Sequence, residues 1–97
     1  MSTSVRQWDI GTWIEIDMAE DVSAAIDRRI IYQRPDGAIG EWAAVERGTD
    51  AIGYQTVDGS LPVRGAWRLQ GWCEFGNGSW TTVEVELTVE RAIARVT

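Results

Sequence analysis

Histidine and lysine are absent from this sequence, and cysteine occurs once, at Cys73. Without histidine there is no Ser-His-Asp or Cys-His arrangement and no histidine-bearing metal site, which removes the commonest acid, base and ligand at neutral pH. One cysteine cannot close an intrachain disulfide, so the inter-sheet bridge of antibody domains is excluded and packing must do its work. All nine basic residues are arginine, scattered along a chain of net charge −6. Phosphate-backbone binding needs clustered cations, so nucleic acid is a poor partner. No apolar run approaches the eighteen or so residues of a membrane helix, and segment 1–9 has no apolar core of the secretory kind, so neither membrane insertion nor export is expected.

What is present is ordinary in bulk and unusual in detail. The 97 residues fit one domain with one core. Six tryptophans in so short a chain are many, and Trp and Arg are the residues enriched at interface hot spots. The fifteen acidic residues could supply a glycosidase pair or a cation site only by converging in a cleft. Glu84, Glu86 and Glu90 instead read as the solvated face of one strand, and Asp58-Gly59-Ser60 reads as a turn. No cofactor or metal is expected.

Along the chain, alternating segments are separated by turn residues, and no stretch of ten or more repeats apolar groups at helical spacing. Segment 10–17 sets Ile10, Thr12, Ile14 and Ile16 against an outer face that includes Trp13. Segment 18–25 is polar and punctuated, with Asp21 and Ser23 placed to cap a short helical turn. A strand over 27–34, with Ile30 and Tyr32 inward, leads to Arg34-Pro35-Asp36-Gly37, where Pro presets φ and Gly accepts a positive one. The returning strand, 40–47, is ambiguous in phase and is read with Trp42 inward. Segment 51–57 follows, with Ile52, Tyr54 and Thr56 on one face, and Leu61 in the next loop plugs the core.

The strand over 65–75 faces Trp67, Leu69, Gly71, Cys73 and Phe75 inward, with Arg68, Gln70, Trp72 and Glu74 outward. A hairpin at Asn77-Gly78, expected as a type I′ turn, leads to a last strand over 80–90 with Val83, Val85, Leu87 and Val89 inward. Cys73 is then a small core residue and not a nucleophile. About six strands, each with one apolar face, fold into two packed sheets, a small barrel being the alternative. The division is an N-terminal arm at 1–9, a sandwich at 10–90 and a C-terminal tail at 91–97.

In order, Ile10-Gly11-Thr12-x-Ile14-Glu15-Ile16, Arg34-Pro35-Asp36-Gly37, Glu41-Trp42, Ile52-x-Tyr54-x-Thr56 and Gly65-Ala66-Trp67-Arg68-Leu69-Gln70 resemble small Ig-like proteins encoded among bacteriophage structural genes. The set spans about residues 10–89 and is similar to the N-terminal domain of phage baseplate upper proteins. There, strand, Lys/Arg-Pro-Asp-Gly turn, strand and a late Gly-x-Trp strand recur in this order. The resemblance implies an all-β, Ig-like antiparallel sandwich of six to seven strands. It also implies a non-enzymatic virion component of the tail, baseplate or neck, or a capsid decoration, whose partners are other virion proteins and copies of itself.

A baseplate upper protein continues into a receptor-carrying region, and this sequence stops after the Ig-like part, so the expectation is a stand-alone accessory subunit. Its candidate partner-contacting residues are Trp8, Trp13, Trp72, Arg68, Arg91 and Arg95. The competing reading is a module for carbohydrate or a host surface, in which Trp13 or Trp72 stacks on a host glycan's sugar rings.

Overall fold

A strand with one apolar face must lay that face against another layer, and the chain does so by forming two sheets packed over a shared core. The computed structural model describes residues 2–82 and 84–92, with the backbone alone at 2 and 3. Nine strands form among them: β1 (Ser2–Arg6), β2 (Trp13–Asp17), β3 (Asp27–Gln33), β4 (Ile39–Ala43), β5 (Val45–Arg47), β6 (Ala51–Gln55), β7 (Gly65–Phe75), β8 (Gly78–Thr81) and β9 (Val85–Glu90). The large sheet runs β1-β9-β7-β3-β4, with β8 also paired to β7, and the small sheet runs β2-β6-β5. The molecule is therefore an all-β sandwich, with nine strands among the described residues where six to seven were expected.

Between the sheets, Ile14, Ile16 and Ile52 of the small sheet meet Ile30, Trp67, Leu69, Cys73, Leu87 and Val89 of the large one. Burying each large apolar side chain stabilises the fold by roughly 1.5–3 kcal/mol. At one end Trp42 faces inward as expected and stacks on Tyr54 of the opposite sheet, ring centroids 4.7 Å apart and planes 7° apart. Tyr32 and Trp67 complete this aromatic cluster. The β3–β4 turn is the expected one: Gly37 has φ +90°, its N–H bonds the Arg34 carbonyl at 2.9 Å, and the Asp36 carboxylate accepts from the Ala38 N–H at 3.1 Å.

Several expectations need correction. Within the segment expected as an N-terminal arm, residues 2–6 form β1, which pairs in parallel with β9 from Ser2↔Glu86 to Arg6↔Glu90 and buries Val5. That is also the one parallel pair among the described residues, every other pairing being antiparallel. Ile10 is 56% exposed, because β2 begins only at Trp13 and the backbone reverses at Gly11, φ +81°. Segment 18–25 forms turns and no helix. Asp21 accepts from the Ser23 N–H at 2.9 Å, which closes a tight turn and lets Met18 and Val22 fold over the core.

Two stretches read as single strands are each divided. Segment 40–47 changes sheets at Ala44: β4 pairs β3 in the large sheet, whereas β5 pairs β6 in the small one. This crossing is the origin of its ambiguous phase. Segment 80–90 breaks into β8 and β9, both against β7. Since Trp72 pairs with Thr81 and Leu69 with Val85, one strand has an extra residue, which is a β-bulge. The Thr82 N–H bonds the Gly71 carbonyl and its hydroxyl accepts from the Gly71 N–H, both at 2.9 Å. The hairpin turn falls at Gly76 and Asn77, neither with positive φ, so it is not the type I′ turn expected at Asn77-Gly78. Val83, read as inward, lies outside the described residues.

Candidate functional site

Outward-facing residues of β3, β4 and β7 form the outer surface of the large sheet, and two of the six candidates meet there. Pairing places Trp72 beside Arg29, and Arg68 beside Gln33, with Ile31 and Gln70 between them. The Arg29 guanidinium lies 5.9 Å from the Trp72 ring centre and is bonded to Asp27 at 3.1 Å and to Glu41. Those two carboxylates raise the guanidinium above its ordinary range, hydrogen bonding to Glu41 contributing most. Arg68 stands 3.5 Å from Glu84, a surface pair of small energetic weight.

Two shallow depressions flank Ile31 on this surface. One, of about 440 Å³, is lined by Asp27, Arg29, Glu41, Trp72 and Glu74. The other, of about 210 Å³, is lined by Gln33, Ile39, Arg68, Gln70 and Glu84. Ile39, on the edge strand, is 72% exposed.

Trp13 faces outward as expected, but on the opposite side of the molecule, from the small sheet. It is 36% exposed, and the Arg47 guanidinium lies 3.9 Å above its ring centre while bonding Glu15 at 3.0 Å. Gly53 makes the arrangement possible, since a Cβ there would stand 2.7 Å from the Arg47 side chain. Arg47 thereby covers one face of the ring.

Trp8 is half-buried with a left-handed backbone, φ +67°, and its N–H bonds the Leu61 carbonyl at 3.1 Å. Arg91 is exposed just after β9, next to Ala92, whose N–H donates to the Gln7 side-chain Oε1 at 3.3 Å. Arg95 lies outside the described residues. Trp13 and Trp72 thus lie on the outer sides of different sheets and do not share one face.

Sequence reasoning missed the most exposed tryptophan. Trp80 is 52% exposed, although it pairs with Cys73 and so points to the inner side. Counting back across the two-residue turn from inward Cys73 would have found it. Cys73 itself is buried, and burial pushes its thiol above the ordinary range, with Arg28 opposing. Among the described residues no three Cys, Asp or Glu side chains gather to hold a metal ion.

Compared with protein-family models, with curated proteins and with solved structures, the chain matches none.

Proposed function

We propose that this chain is a non-enzymatic bacteriophage virion accessory protein, part of a tail, baseplate or neck or a capsid decoration, that docks on other virion proteins through the outer surface of its large sheet. The observation that carries docking is one continuous surface on which exposed Ile39 and half-buried Ile31 adjoin Trp72 and Arg68. Such a surface combines apolar area with the residue types that dominate interface energetics. Support for the virion setting comes from the ordered motifs, Arg34-Pro35-Asp36-Gly37 and Gly65-Ala66-Trp67 among them, which resemble those of phage Ig-like proteins.

Mass spectrometry of purified virions tests the setting, and absence of the chain there refutes it. The surface is tested by incorporation of a Trp72→Ala, Arg68→Ala variant. Loss of a hot-spot tryptophan costs about 2 kcal/mol or more, roughly a thirtyfold weaker contact. Undiminished incorporation of the folded variant would remove this surface from the proposal.

A further inference from the structure

The edges of the two sheets are not alike. Among the described residues, free edges run along β1, β2, β4, β5 and β8. The first four each carry charge, as with Arg6, Glu15, Glu41 and Glu46, the usual protection against strand addition. β8, Gly78-Ser79-Trp80-Thr81, carries none and lies within residues 75–83, the longest uncharged run of the sequence. All four of its residues are exposed, it bonds β7 on one side, and no described strand lies on the other. An edge of that kind offers its backbone N–H and C=O groups to another strand.

We propose that β8 pairs with β8 of a second copy, antiparallel about a two-fold axis, joining the two large sheets edge to edge. Charge selects this occupant. Copies carrying −6 each repel wherever their acidic surfaces approach, so self-contact is favoured where neither brings charge. Antiparallel pairing of one strand with itself is self-complementary, as a two-fold contact requires. Centred on Trp80, with Ser79 opposite Thr81, the pairing also sets the two Trp80 rings side by side on the same face, where each now packs on Phe75, centroids 4.5 Å apart. Cross-strand aromatic pairs stabilise sheets. So short a pairing buries less than the roughly 1,200 Å² of a standard interface, so the dimer is weak and concentration-dependent. This edge is distinct from the docking surface proposed above, and the two stand or fall separately.

Sedimentation velocity of the isolated chain from roughly 10 μM to 1 mM covers the range in which so small a contact registers. The average mass rises with concentration above the 10.8 kDa of one chain, and amide exchange at residues 79–81 slows in parallel. Trp80→Ser and Ser79→Lys each shift association at least about tenfold higher in concentration, while Trp72→Ala leaves it unchanged. Urea midpoints verify that the variants are folded. A monomer throughout, or a dimer that survives both β8 substitutions, overturns the proposal. So does a chain that stays monomeric yet gains protection at 79–81 only when virion proteins are added, which assigns the edge to a foreign strand.

Discussion

Replacing Leu61 with alanine asks whether the loop over residues 57–64 is part of the core or merely lies on it. Leu61 is fully buried, and the loop around it is fastened at two points. Its own carbonyl accepts the Trp8 N–H at 3.1 Å, and the Val63 carbonyl accepts the indole N–H of buried Trp67 at 2.8 Å. A loop so anchored collapses little into vacated space, which places the loss near the middle of the range of about 2–5 kcal/mol for a buried Leu→Ala change. At about 4–8 °C per kcal/mol for a domain of this size, a loss of about 3 kcal/mol lowers the melting midpoint by roughly 12–24 °C. Urea unfolding followed by tryptophan fluorescence measures this, and an unchanged m-value shows that the native state lost stability. Since the Trp8 N–H leans on Leu61, amide exchange at Trp8 should accelerate more than at β3. A loss under about 1 kcal/mol, well below the range for a buried leucine, would refute the reasoning.

Cys73, buried and with its thiolate disfavoured by that burial, should label with a thiol reagent only as fast as the protein unfolds; rapid stoichiometric labelling of the native state would contradict its placement. A double-mutant cycle on Arg47 and Trp13 should give a coupling of about 0.5–1 kcal/mol, as for an exposed cation–π pair. Gly53→Ala, which pushes Arg47 away, should diminish that coupling, and strict additivity in the parent would show the stacking to be inert. Asp36 is held below its ordinary carboxylate value, chiefly by the hydrogen bond from Arg34. A depressed folded pKa contributes stability above the unfolded value, which is lost as pH falls through the folded one. Asp36→Asn should therefore shallow the decline of the urea midpoint below about pH 4, and an unaltered acid profile would count against the Arg34–Asp36 contact.

Period-two alternation located β7 at its full length and assigned Trp67, Leu69 and Cys73 to the core correctly, because a central strand paired on both sides has one face it must bury. It worked less well wherever the chain changes partners. The break at Ala44 and the bulge before Val85 are decided by which sheet is adjacent, and alternation along one strand carries no record of that. β1 escaped notice because its buried apolar contribution is Val5 alone and its partner, β9, lies at the far end of the sequence. For the candidate residues, the pattern correctly turned Trp13 and Trp72 outward. Outward from which sheet was decided by topology, and the answer placed them on opposite sides.

The mismatch between the two sheets accounts for the surfaces left over. Six strands face three, so an inward-pointing side chain of the large sheet is buried only if something other than a strand covers it. Loops supply that cover in two places. Leu61 is carried in by the loop over residues 57–64, and Met18 and Val22 fold in beside Cys73. The second loop is tied down by Arg28, whose guanidinium donates to the Val22 carbonyl at 2.9 Å from a position paired with Cys73. β8 extends the large sheet beyond the reach of this cover, and its inward ring, Trp80, remains half in water. Inward alternation and burial therefore part company at that edge, where the absence of charge leaves a strand able to receive another.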